Sequence, residues 1–219
     1  MMSFRVSFIL MVLCSMLRPD PSEARSILLM GDSHSVGPFG KTLDSGLRKL
    51  PDTSVRTIAS CGSIIRWFYT GTPTSCGSLQ IDESGKATEA VKAPTPLLKE
   101  VLAEKTPDLV IVELGANYMI GYPEATLTRD VERLLGDLET TGAKCLWVSP
   151  PDSRKYREER KDLVLRLEKL VSGRCQWFDS IHHTHYPDTG GDGVHYNTQS
   201  LTPIAKEWAG QVLNVVESM

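Results

Sequence analysis

The sequence lacks the basic surplus of a nucleic-acid binder. Lys and Arg total 24 against 27 Asp and Glu, a formal net charge of −3, which leaves nothing over to neutralise a phosphate backbone. Long blocks of like charge are missing too: residues 154–161 mix signs and read as the solvated face of a helix. There is no internal repeat and no low-complexity linker, which excludes a solenoid and a string of tethered modules. The longest mostly apolar run, 6–17, is too short to span a bilayer. What remains is 219 residues, 41% hydrophobic and 23% charged, a composition suited to one packed α/β domain.

The first 24 residues differ from the rest. Arg5 supplies a positive start, the run 6–17 an apolar centre, and Ser22-Glu23-Ala24 places small residues at −3 and −1 of a cleavage point. That is the pattern of a secretory signal peptide, with a single domain expected over 25–219 and a periplasmic or extracellular destination. Cys14 is a poor candidate for lipid attachment, because Leu13 before it is not small. Cleavage after Ala24 leaves Cys61, Cys76, Cys145 and Cys175, an even number in an oxidising compartment, where disulfides are favoured. Four cysteines allow three pairings. Cys61 with Cys76 would close a short Gly/Thr/Ser-rich loop, and Cys145 and Cys175 each open a predicted strand, within bridging range if those strands are neighbours.

Along the mature chain, apolar runs alternate with helical periodicity. Strands are predicted at 27–30, 54–59, 109–114, 144–148 and 176–179. Helices are predicted at 36–50, 97–104, 126–141, 156–171 and 198–216, and 60–93 reads as irregular. The alternation implies a three-layer α/β sandwich with a central parallel sheet of about five strands. Ligands of such sheets bind beyond the carboxyl ends of the strands, so a motif placed just after a strand carries weight.

Four motifs stand in loops of that kind. Gly31-Asp32-Ser33-His34-Ser35 follows the first strand; a serine in a tight glycine-led turn exposes its hydroxyl, although Asp32, Ser33 or Ser35 would equally serve as a helix cap. Cys61-Gly62-Ser63 follows the second strand and can present a backbone N–H to negative charge. Gly115-Ala116-Asn117 follows 109–114 and can add a side-chain amide donor. Asp192-Gly193-Val194-His195 precedes the last helix, and its spacing can bring a carboxylate onto a histidine ring nitrogen. Each is also ordinary turn chemistry when taken singly. His182, His183 and His185 raise a metal reading, but no matching second ligand set is evident, and no metal or other cofactor is expected.

In series, these blocks resemble the SGNH hydrolases, also called GDSL-type esterases, over the span from about Ile27 to the C-terminus. The resemblance implies a flavodoxin-like fold and acyl transfer to water. It makes Ser33 the nucleophile, His195 the base and Asp192 its orienter, with the Ser33 and Gly62 amides and the Asn117 side chain as oxyanion hole. Two positions depart from the family pattern. Tyr118 stands where Asp is common, and His34 where an apolar residue is common, which marks both, together with Trp67, as candidate substrate contacts.

Substrate signals are sparser. Trp67, Phe68 and Tyr69 lie in the loop between Cys61 and Cys76, where an aromatic face can stack on a sugar ring or anchor the loop to the core. There is no broad apolar lid of the kind a long-chain lipase carries, so the expected substrate is a small-molecule or glycan ester, with acetyl on a carbohydrate preferred. The competing readings are an idle glycan- or protein-binding module on the same fold, and glycan cleavage by carboxylates among Asp32, Glu113 and Asp188.

Overall fold

The computed structural model describes residues 24–119 and 121–219, so the proposed signal segment lies, but for Ala24, outside the described residues. The chain begins with β1 (Arg25–Gly31), a short α1 (Ser33–Val36), α2 (Pro38–Leu47) and β2 (Thr53–Ser60). A long excursion follows: α3 (Trp67–Thr70), β3 (Pro73–Thr74), β4 (Ser78–Ile81), β5 (Ala87–Ala90), β6 (Ala93–Pro94) and α4 (Leu98–Glu104). The remainder alternates regularly through β7 (Leu109–Glu113), α5 (Glu124–Thr141), β8 (Lys144–Val148), α6 (Arg157–Val171), β9 (Gln176–Phe178) and α7 (Thr202–Glu217).

The main sheet has seven strands in the order β5-β4-β2-β1-β7-β8-β9. The run from β2 to β9 is parallel throughout, with Gly31 opposite both Ala59 and Glu113 at the carboxyl end. Counting those five strands alone, their order is 2-1-3-4-5, the flavodoxin-like arrangement that reverses direction at β1. Side chains alternate strictly across the sheet. Ile27, Leu29, Leu109, Ile111 and Leu146 pack against α2 and α7, while Leu28, Met30, Val110, Val112 and Trp147 pack against α4, α5 and α6. Each such side chain contributes roughly 1.5–3 kcal/mol by leaving water. On the first face Phe39 of α2 stacks on Trp208 of α7 with ring centroids 3.6 Å apart, which joins the two helices over the site described below.

Two elements differ from the sequence expectation. The stretch 60–93, read as irregular, contains the hairpin β4–β5, paired antiparallel onto the free edge of β2. Its strands carry few large apolar residues, and the sheet edge supplies the hydrogen bonds that the hairpin could not secure by burial. The expected helix 36–50 is broken at Gly37, where Pro38 opens α2 at a position whose N–H needs no partner. Among the described residues no helix is long and apolar enough to cross a membrane.

Candidate active site

β1 and β7 lie side by side, and the turns that follow them meet where the sheet reverses direction. A Cβ on Gly31 would sit 2.0 Å from Ser35 Oγ, so only glycine lets the chain close so tightly. Ser35, tucked beneath the turn, donates to Glu113 Oε2 at 2.8 Å. The Asp32 carboxylate accepts the His34 N–H at 3.0 Å and thereby caps α1. With capping assigned to Asp32, the Ser33 hydroxyl is left for another partner.

That partner is His195, whose Nε2 lies 3.0 Å from Ser33 Oγ. On the other side of the ring, Nδ1 lies 2.6 Å from Asp192 Oδ2. Asp192 Oδ1 accepts the backbone N–H groups of Val194 and His195, both at 2.8 Å. Burial alone would raise the Asp192 carboxyl, but the hydrogen bonds from the His195 ring and these two amides hold it far below the ordinary carboxylate range. A carboxylate fixed as an anion makes Nδ1 the protonated nitrogen of neutral His195 and leaves Nε2 as an acceptor facing Ser33.

The loop bearing Asp192 and His195 is anchored by residues with no sequence motif of their own. The Gly193 N–H donates to Tyr186 Oη at 3.0 Å, and Ser153 Oγ donates to the Gly193 carbonyl at 2.9 Å. Tyr186 is itself fixed through its N–H, which donates to Asp152 Oδ2 at 2.8 Å, and Tyr196 Oη donates to the Asp152 carbonyl at 2.8 Å. Asp152 and Ser153 follow β8, so a fourth strand end contributes. The one available sequence signal was an Asp-Ser pair in the loop after the predicted strand 144–148.

The candidate oxyanion donors are the backbone N–H groups of Ser33 and Gly62 and the Asn117 side-chain amide. Within the described residues, no hydrogen bond takes up the backbone N–H of Ser33 or of Gly62. Gly62 has φ +78, a left-handed conformation that favours glycine, and the Cys61–Cys76 disulfide fixes the chain beside it. The Asn117 amide is already engaged: Nδ2 donates to the Ser63 carbonyl at 2.9 Å and to Asp32 Oδ2 at 3.3 Å. The second disulfide joins Cys145 at the start of β8 to Cys175 just before β9, neighbouring strands of the sheet.

Behind Ser33 lies a buried group of ionisable side chains. Asp32, pushed up to about 6 by burial, faces Glu113, which burial and the Asp32 charge hold well above the ordinary carboxylate range. His34, 4% exposed, is held well below its usual value by burial and by the nearby Arg160 charge. Arg160 contradicts the solvated-face reading of 154–161: it is 1% exposed, the fourth residue of α6, and turned inward.

The candidate substrate residues separate. His34 lines the space on both sides of Ser33. Tyr118 does not face a substrate: its ring is in the core, its hydroxyl donates to Asp130 Oδ2 at 2.9 Å and accepts the Ile65 N–H at 3.1 Å. Tyr118 therefore ties the loop after β2 to α5. Trp67 is half-buried against the core with its indole edge beside Gly62, and Phe68 is wholly buried. His182, His183 and His185 are exposed, and among the described residues no group of three or more such side chains could hold a metal.

Two hollows flank the Ser33–His195 pair. One, of about 290 Å³, is walled by Val36, Pro38, Phe39 and Trp208. The other, of about 210 Å³, is walled by Asn117, Lys155, Tyr156, Arg160 and Asp192.

No family model matches the chain. TesA superposes with a TM-score of 0.59 at 17% identity, covering 88% of this chain and 99% of its own. The psychrotrophic esterase EstA from Pseudoalteromonas sp., solved inhibited by monoethylphosphonate, gives 0.58 at 15% identity, with coverage of 88% and 99%. The fold is that of the SGNH hydrolases. A structure described as a peptidoglycan O-acetylesterase in action gives a TM-score of 0.55 at 13% identity, covering 90% of this chain and 93% of its own. In sequence, an arylesterase from Vibrio mimicus is 26% identical over 115 residues, half of this chain, and this chain spans 58% of that relative's length.

Proposed function

We propose that this SGNH-fold protein is an exported serine esterase that removes a small acyl group, acetyl by preference, from a carbohydrate. The observation that carries the reading is the unbroken relay from Asp192 through His195 to Ser33, at 2.6 Å and 3.0 Å. A serine hydroxyl becomes a competent nucleophile when a base accepts its proton, and a histidine with its far nitrogen bound to a carboxylate anion is such a base.

In the proposed reaction Ser33 Oγ attacks the ester carbonyl while its proton passes to His195 Nε2. The carbonyl oxygen becomes an oxyanion facing the amides of Ser33 and Gly62. Asn117 joins them by releasing the longer of its two hydrogen bonds, the one to Asp32. The C–O bond to the alcohol breaks, the alcohol takes the proton from His195, and the acyl group remains on Ser33. Water, deprotonated by His195, then attacks the acyl-serine; collapse releases the carboxylic acid and returns the proton to Ser33.

An alkyl acyl group is supported by the apolar walls of the hollow at Phe39 and Trp208, and the carbohydrate by Trp67 beside Gly62. The description of one structural neighbour as a peptidoglycan O-acetylesterase is in keeping with both. Two disulfides favour an oxidising compartment and hence export. Glycan cleavage by carboxylates finds less support, since Asp32 and Glu113 are 0% exposed and neither they nor the exposed Asp188 wall the hollows. The test is acetate release from an aryl acetate and from O-acetylated glycans. Wild type should release acetate and Ser33→Ala should not; equal release by both removes the serine from the reaction.

A further inference from the structure

Arg160 is a buried cation without a partner. Its Nε, Nη1 and Nη2 are all sealed from solvent, and none has a hydrogen-bonding partner among the described residues. A guanidinium carries five donors, and an interior position normally demands that they be filled. The charges around it are Asp32, Glu113 and Asp152, and each acts on Arg160 through space only. Glu113, moreover, is held toward its neutral form. Arg160 is one of the residues lining the 210 Å³ hollow, with Ser33, Asn117 and His195, and a ligand there reaches its nitrogens only by displacing what covers them.

Lys155 stands at the rim of the same hollow, exposed. The one anion in the wall, Asp192, is committed: its two oxygens take the His195 ring and two backbone amides. Among the side chains lining the hollow, the charges left to act on a ligand are therefore the cations Lys155 at the rim and Arg160 in the wall. The opposite hollow has the reverse character, with Val36, Pro38, Phe39 and Trp208 providing apolar surface suited to an alkyl acyl group.

We infer that the Arg160–Lys155 hollow binds a carboxylate on the alcohol part of the substrate, so that the enzyme deacylates esters of acidic sugars or hydroxy acids in preference to neutral ones. The planar fork of an arginine suits a carboxylate, which can accept two parallel N–H donors. This inference rests on the esterase reading and deepens it.

The test uses matched acetyl esters that differ in one charge: 3-acetoxybenzoate against 3-acetoxybenzamide, each measured as kcat/KM. Wild type should favour the carboxylate by about tenfold or more, the scale of a charge-assisted hydrogen bond. Lys155→Gln, an exposed substitution, should lower that ratio, and Arg160→Gln, where it folds, should lower it further through KM. A companion pair carrying the charge on the acyl side, 4-nitrophenyl hydrogen glutarate against 4-nitrophenyl glutaramate, should show no such preference. Hydrolysis of both acetoxy compounds at equal kcat/KM overturns the inference and leaves the esterase standing, as does a charge preference confined to the acyl side. Failure to hydrolyse any of the four esters counts against the esterase reading, and the inference falls with it.

Discussion

Asn117 shows what one side chain is asked to do at this site. Its amide holds the Ser63 carbonyl and the Asp32 carboxylate before any substrate arrives, and the proposed chemistry needs one of those donors at the oxyanion. Asn117→Ala should therefore lower kcat by about a hundredfold to a thousandfold, the usual loss for one oxyanion donor. It should also cost about 1–3 kcal/mol of stability, because two buried acceptors lose their partner. Steady-state kinetics and chemical denaturation on the same preparation separate the two effects. The proximity of Ser33, Asp192 and His195 was legible from the four short motifs taken in series rather than from any one of them, helped by Asp192 and His195 being three residues apart. Tyr118 was not: its hydroxyl answers to Asp130 and to Ile65, the latter 53 residues away. Arg160 was hidden by its neighbours, since Glu158, Glu159 and Lys161 give that helix turn the charge pattern of a surface.

At the scale of elements, β1, β7 and β8 were readable because both faces of the sheet are buried there, which makes each a nearly continuous apolar run; β2 and β9 carry more polar residues and were readable from their place in the alternation with helices. The hairpin β4–β5 was not, since it lies at the edge and its stability comes from pairing with β2. Its turn had a local signature all the same: the Asp82 carboxylate accepts the N–H groups of Ser84 and Lys86. The Cys61–Cys76 bridge, with a sequence separation of 15, joins the end of β2 to the start of this hairpin and fixes the loop that carries Gly62. Closing a loop of that length is worth about 3 kcal/mol. The double substitution Cys61→Ser/Cys76→Ser should lower the denaturation free energy by about that amount. Turnover should fall in the same variant at temperatures where it is still folded, because the Gly62 amide is no longer held; unchanged turnover would take Gly62 out of the oxyanion site.

The whole molecule carries a pH signature set by its buried acids. Glu113 lies deep between the sheet and the turn after β1, and burial with the adjacent Asp32 charge raises its carboxyl well above the ordinary value. In the range above about pH 4.3, where the unfolded chain has released this proton and the folded chain still holds it, stability falls as pH rises. The decline ends only when pH passes the folded-state value, and Asp32, raised to about 6, adds to it over the lower part of that range. Asp192 acts in the opposite direction: its lowered carboxyl stabilises the fold above the unfolded value, and that contribution disappears only in strong acid. Glu113→Gln keeps the shape of the neutral acid and removes its titration. Its melting temperature should decline less than that of wild type between about pH 5 and pH 8, while a parallel decline would mean that Glu113 is not held protonated.

The proposed chemistry turns on Ser33 Oγ as the atom that attacks the substrate. The most direct measurement is intact-mass and peptide mapping of the protein after exposure to a serine-directed phosphonate. One phosphonyl adduct on the peptide containing Ser33, absent from Ser33→Ala and formed with parallel loss of ester hydrolysis, is the predicted result. An adduct elsewhere, or full hydrolysis surviving in Ser33→Ala, would contradict the account.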